Sequence, residues 1–328
     1  MIACVYGKAF APFVEEVAYD LCAAVAAAGG EMRAFTLEAA MADPGCGANV
    51  HRLYVLPFDA PPPTAPAEII REIFPNAELV NSFAVQDLSW DKIATQELLL
   101  DRGVPVPDTL VSSEPADVHH FVHQHGFAIL KERHSCGGQG HIVLWFEGED
   151  LVGDCGSHQY QMDLVPHGQR RLEGVRLIYP GPFYVQRLIA DIGIHRMSPG
   201  QVLRAYIVDS QIAFWTERYR DRYDRPSDWI INVGLGARYR FLQNISEEAK
   251  KIAVRSAEVT GMRVGVVDLI RTGSMGPYVL EVDTDGHHML IDRQFKHIPD
   301  YRDFFNFERF IAEALLAEPV IPKRPQAR

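Results

Sequence analysis

The stretch YVLEVDTDGHHMLID, residues 278–292, decides how the rest of the chain is read. It opens as a buried β-strand with Val279 and Leu280, then sets Glu281, Asp283 and Asp285 on alternate positions. Side chains at i, i+2 and i+4 share one face of a strand. Carboxylates that face one another raise each other's pKa unless a cation lies between them. Just upstream, VGVVDLI (264–270) reads as a second strand carrying Asp268, joined to the first by the turn TGSMG. Asp268, Glu281 and Asp283 thus form an all-oxygen set on two adjacent strands. Hard oxygen ligands suit Mg2+ or Mn2+ rather than zinc. Magnesium bridges to phosphate oxygens, so the set implies a nucleotide. The other reading is a polar strand end with solvated acids.

Cations lie further upstream. Lys131 sits inside the apolar strand AILKE, where an unpaired ammonium is costly. It belongs to FAILKERHSCGGQGHIVLWF (127–146), a strand, a glycine-rich turn and a second strand. That is a hairpin with a long loop, not the strand–loop–helix of a dinucleotide site. Its backbone N–H groups suit phosphate. Lys92 opens the helix in SWDKIATQELLLDRG (89–103), with Ser89 as expected N-cap, Ile93, Leu98 and Leu99 on one stripe, and Gly103 as the stop. A surface lysine is the other reading of Lys92.

The chain has 328 residues, 47% hydrophobic and 23% charged, enough for two or three domains. A net charge of −11 argues against nucleic acid as main partner. No run approaches the ~20 apolar residues of a membrane helix. MIACVYGKAF reads as a first strand rather than a signal peptide. The five cysteines have no paired spacing, so reduced thiols, no structural zinc and a cytoplasmic setting are expected. Cys136, in the glycine loop, is either reactive or incidental. Strands at 1–6 and 52–57 flank a helix at 12–28, which predicts a small parallel β/α unit. A strand follows at 183–189, a hairpin at 202–208 and 211–217, and a helix at 246–260 started by Ser246 and ended by Gly261. WTERYRDRYDRPSDW (215–229) reads either as a clamp for a carboxylated substrate or as a hairpin extension with internal ion pairs.

The order of these features is more specific than any one of them. It runs DK-helix, strand–lysine–glycine loop, VQRLI, hairpin with Arg204, NVGLG from Asn232, long helix, VVDLI and LEVD. In this order the chain resembles the ATP-grasp ligases, nearest the branch of ribosomal-protein glutamate ligases and glutathione synthetase-like enzymes. The resemblance covers residues 80 to about 316. It implies an α/β (α+β) ATP-grasp fold. Residues 1–88 would be the N-terminal pre-grasp domain, 89–185 the central subdomain with a lid loop, 186–318 the C-terminal subdomain and 319–328 a tail.

The resemblance also implies roles. Lys92 and Lys131 match the two nucleotide lysines. Ser135, Gly137, Gly138 and Gly140 match the loop that folds over phosphates. Gln186, Arg187 and Leu188 match the hinge whose backbone reads adenine, and Asp191 is the nearest candidate for the ribose. Arg204, Arg218 (after Glu217) and Asn232 match residues near the transferred phosphate. Asp268, Glu281 and Asp283 match the magnesium carboxylates. Two departures stand out. Val202 replaces the aspartate usually found two residues before the arginine, and Asp283 replaces an asparagine. The segment TDGHHMLID also departs, so the acceptor site is expected to be rebuilt, with Asp285, His287 or His288 as candidate bases. The implied activity is an ATP-dependent ligase that forms an acyl phosphate and joins it to the amine of an amino acid or peptide. A homo-oligomer is compatible with this reading. The alternatives are a phosphotransferase and a non-catalytic nucleotide- or peptide-binding protein.

Overall fold

The structure, a computed structural model, describes residues 1–7, 13–56, 64–135, 140–156, 158–192, 197–232, 235–284, 295, 297, 301 and 305–317. Gly137, Gly138, Cys136, the segment 285–294 and the tail from 319 lie outside them. The chain divides into two compact units, Met1–Phe83 with Asp300–Arg328, and Ala84–Pro299. The sequence reading sets the first boundary near Ser89 and runs the last segment with the C-terminal subdomain; by contact, that last segment joins the first unit.

The first unit is built on β1 (Ile2–Tyr6), α1 (Phe13–Ala27), β2 (Met32–Thr36), α2 (Leu37–Ala42), β3 (Arg52–Val55), α3 (Thr64–Ile73) and β4 (Glu78–Val80). Its sheet is parallel, in the order β2-β1-β3-β4. All five β1 residues are buried, as expected of a parallel strand covered on both faces. Thr36 starts α2 by accepting the Ala39 N–H at 3.1 Å. Arg52 is buried, donates to Leu315 O at 2.5 Å and pairs with Glu78 at 3.2 Å. The last helix (Phe307–Leu316) is thereby tied to β3 through its final carbonyls.

The second unit begins with α4 (Phe83–Trp90) and α5 (Lys92–Asp101). Asp91, not Ser89, caps α5, accepting the Ala94 N–H at 3.2 Å. Ser89 lies inside α4 and donates to Gln86 O. The next elements are β5 (Thr109–Ser112), α6 (Pro115–His125), β6 (Ala128–Lys131), β7 (Ile142–Glu147), β8 (Asp150–Asp154), β9 (Gln159–Val165), β10 (Arg171–Glu173), β11 (Arg176–Pro180) and β12 (Phe183–Arg187). They form an eight-stranded sheet in the order β10-β11-β9-β8-β7-β6-β12-β5. The lysine–glycine segment is the expected hairpin, β6 antiparallel to β7. Leu130, Ile142 and Leu144 pack with Val118 and Val122 of α6. Period-two alternation then turns Ile129 and Lys131 to the other face.

A two-stranded ribbon, β13 (Ala190–Ile192) with β14 (Met197–Pro199), precedes β15 (Gln201–Val208), β16 (Gln211–Tyr219), β17 (Arg238–Leu242), α7 (Glu247–Thr260), β18 (Val264–Arg271) and β19 (Tyr278–Asp283). These last strands form an antiparallel sheet, β17-β16-β15-β18-β19. Asp209 and Ser210, both at positive φ, make the tight turn of the β15–β16 hairpin. Ala249, Ala253 and Ala257 of α7 are fully buried against Leu203, Ala205, Val267 and Leu269. Small residues at i, i+4 and i+8 let the helix lie close on the sheet. The opposite sheet face carries the site, beside an aromatic stack of Tyr206 on Phe214.

Candidate functional site

That opposite face carries charge. Arg204 of β15 stands directly across from Asp268 of β18. It makes a bidentate pair with it, Nε to Oδ1 at 2.7 Å and Nη2 to Oδ2 at 2.8 Å. Arg218 donates a further bond to Asp268 Oδ2. Asp268 is only 1% exposed. Burial alone would raise its pKa, but the two guanidiniums outweigh that and hold it below the usual carboxylate value. Arg218 Nε is buried and has no partner among the described residues. A buried donor without an acceptor is costly.

Glu281 stands across from Asp268 on β19. A strict alternation would put Val279, Glu281 and Asp283 on one face. A bulge between these strands prevents it: Asp268 pairs with Glu281 but Leu269 pairs with Val279, so Leu280 is the extra residue. Val279 and Val282 therefore enter the core while Leu280 and Glu281 both line a cleft. Gln96 holds the bulge, its Nε2 donating to Leu280 O at 3.0 Å.

The other wall of the cleft is the face of the eight-stranded sheet with Lys131 and Gln186. Lys131 is buried and donates to Gln186 Oε1. Burial lowers its pKa to about 8, with Glu281 acting against that and Lys92 with it. Lys92 donates to Ser135 O and pairs with Glu281 at 3.4 Å. Lys92, Lys131, Arg204 and Arg218 give four positive charges against two from Asp268 and Glu281. The surplus is two, in a place where unpaired charge is expensive. His141 also lines the cleft, with Nε2 buried and without a partner among the described residues. Burial, then Lys131 and Lys92, hold it well below the usual histidine value, so it is neutral near pH 7. Ile129, Leu188, Ile189, Trp229 and Leu280 make the apolar part.

The remaining candidates fall differently. Asn232, Arg187 and Leu188 line the cleft. The hinge N–H groups are already engaged, Arg187 to Asp108 O at 2.8 Å and Leu188 to Phe127 O at 3.3 Å. Asp191 accepts from Gly273 N at 2.9 Å and Ser274 Oγ at 2.6 Å, and is not among the lining residues. Gly140 has φ +74°, and a Cβ there would meet the Glu132 carboxylate at 2.6 Å. Asp283 stands opposite Val266, on the same sheet face as Asp268 and Glu281 but further along the strands, and is not among the lining residues. Among the described residues no group of three or more His, Cys, Asp or Glu is placed to hold a metal ion. The arginine-rich stretch is organised internally. Arg220 pairs with Asp228 at 3.1 Å, and Arg225 donates to Gly156 O. No helix of the described residues is long and apolar enough to cross a membrane.

His141, Gln96, Trp229 and Leu280 were not singled out by the sequence. The only local signal for His141 was a polar residue at the head of the apolar run IVLWF.

No protein-family model matches the chain. A protein described as a probable alpha-L-glutamate ligase, from Legionella pneumophila (strain Corby), is 26% identical over 196 residues, 60% of this chain and 55% of that protein. The chain thus spans about half the length of the curated relatives it matches. Two solved structures match nearly end to end. One is the D-alanine–D-alanine ligase of Bacillus anthracis complexed with ATP, with TM-score 0.60 at 12% identity, covering 96% of this chain and 95% of that one. The other is the ATP-grasp ligase PsnB complexed with a phosphomimetic variant of its minimal precursor, Mg and ADP, with TM-score 0.59 at 17% identity, covering 95% and 97%. At such identities the likeness is one of fold.

Proposed function

We propose that this chain, which has the ATP-grasp fold, is an ATP-dependent ligase joining a carboxylate to the amine of an amino acid or peptide. The observation that carries this reading is the surplus of cations around the cleft, together with the buried Arg218 Nε, which has no partner among the described residues. Such a site is complete only with a polyanion in it. The naming of curated relatives as probable alpha-L-glutamate ligases supports the reaction class. The rebuilt segment after Asp283 is the reason we do not assign glutamate as the acceptor.

In this reading Lys92 and Lys131 bind phosphate oxygens, and Arg218 donates to the phosphate that is transferred. Arg204 acts as a positioning residue, holding Asp268 and through it Arg218. The apolar wall of Leu188, Ile189 and Trp229 takes the base. Its recognition would rest on side chains and carbonyls, since the Arg187 and Leu188 N–H groups are engaged. A magnesium ion needs only one or two carboxylates plus phosphates and water. Glu281 fits that need, whereas Asp268 is engaged by two arginines. The ion would supply charge neutralisation at the phosphates. The attacking carboxylate oxygen bonds to the γ-phosphorus as the bond to ADP breaks. The amine nitrogen then bonds to the acyl carbon, and phosphate leaves as the amine gives up its proton. Cations fixed around the cleft favour both steps, because charge is stabilised without solvent rearrangement.

The test is ADP release with pools of amino acids and dipeptides, followed by mass spectrometry. A product lighter by one water than its summed substrates supports ligation. A phosphorylated product would assign phosphotransfer instead. No nucleotide binding with any pool would overturn both.

A further inference from the structure

β5 is the edge of the eight-stranded sheet and pairs only with β12 among the described residues. The register fixes which of its backbone groups face outward. The Arg187 N–H donates to Asp108 O at 2.8 Å. In an antiparallel ladder hydrogen-bonded pairs alternate with non-bonded ones. Val185–Leu110 and Phe183–Ser112 are then bonded pairs, while Gln186–Thr109 and Tyr184–Val111 are not. The N–H and C=O groups of Thr109 and Val111 therefore turn away from β12.

A groove runs beside that edge, between β5 and α5. Ile93, Gln96, Glu97 and Leu100 line it from one helix face, at i, i+3, i+4 and i+7. Leu100 is 64% exposed and Val111 46%, which is unusual for large apolar side chains on one groove. Its lining carries two acids, Glu97 and Asp108, the second already paired with Arg187 at 3.4 Å, and no basic residue. The groove shares no lining residue with the nucleotide cleft.

We propose that this groove docks an extended peptide segment of another protein, added as a strand on β5, with apolar residues against Leu100 and Val111 and basic side chains facing Glu97 and Asp108. Strand addition draws affinity from backbone bonds and specificity from alternate side-chain pockets. Only two residues of β5 offer outward groups, so the groove and its charge carry the choice of partner. The docking site goes beyond the ligase reading and stands whether or not that reading holds.

The test uses the full chain and a fluorescein-labelled peptide of alternating lysine and valine, read by anisotropy. A glutamate–valine peptide is the comparison. The lysine peptide is expected to bind saturably and at least about tenfold more tightly than the glutamate peptide. Val111→Pro removes an outward N–H without touching the β12 ladder, and Leu100→Asp adds a charge at an exposed position. Each is expected to weaken binding by about tenfold, with the urea midpoint unchanged. Absence of saturable binding, equal binding of the two peptides, or unchanged binding in both variants would overturn the proposal. So would a concentration-dependent dimer that Val111→Pro abolishes, because the edge would then belong to a second copy.

Discussion

Asp268→Asn is the sharpest test of the site's electrostatics. It keeps the shape of the side chain and removes one negative charge that two buried guanidiniums share. Breaking a buried ion pair by removing one partner typically costs about 3–5 kcal/mol, because the remaining charge is left uncompensated. Here two cations are left, so the upper half of that range is expected. For a domain of this size each kcal/mol is worth roughly 2–4 °C of melting temperature, giving a drop of about 8–20 °C. All four tryptophans lie between residues 84 and 299, so urea unfolding followed by tryptophan fluorescence reads the second unit alone. Arg204→Met added to Asp268→Asn should recover part of the loss, since it removes one of the stranded charges. The pH dependence has a definite sign. The Asp268 carboxyl is held below its ordinary value, so its contribution is present above that ordinary value and lost as pH falls through the depressed one. The gap between wild type and variant should persist from pH 7 down to about pH 4 and narrow only below it. A loss under ~1 kcal/mol, or a double variant no more stable than the single one, would refute the reasoning.

Three further outcomes follow from other residues. Lys131, with its pKa lowered to about 8, carries charge below that pH and loses it above. Nucleotide affinity should be flat from pH 6 to 7 and about tenfold weaker by pH 9, with Lys131→Arg flat throughout; a flat wild-type profile would remove Lys131 from the phosphate site. Glu281→Gln should abolish ADP formation while leaving the unfolding midpoint near wild type, and full turnover would show that no metal is held there. Arg52→Met should cost about 1–3 kcal/mol and raise hydrogen exchange across Phe307–Leu316; unchanged exchange there would show that the last helix is held by packing alone.

Much of the fold was legible because its signals are local. The β15–β16 hairpin, α7 with its Ser246 cap and Gly261 stop, and the lysine–glycine hairpin each follow from spacing and turn chemistry. Strands β8 to β11 were not read. Their residues, such as those of the exposed β10, pair at an outer part of the sheet with little apolar contrast. The site was half legible. Lys131 announced itself as a charge in an apolar strand. The partners of Asp268 did not, because Arg204 and Arg218 lie 64 and 50 residues away and meet it only through the sheet register. The bulge at Leu280 was invisible too, since the six residues of β19 fit a regular strand as well as a bulged one.

That bulge changes what chain length means at this point. In most strands, losing one residue turns every later side chain to the wrong face. In β19, losing Leu280 would leave Val279 opposite Leu269 and Glu281 opposite Asp268, with Val282 still in the core. The deletion would remove only one cleft-lining side chain and the carbonyl that Gln96 holds. Leu280 is thus a separable insertion, where the cleft wall can vary by one residue while the scaffold behind it keeps its frame.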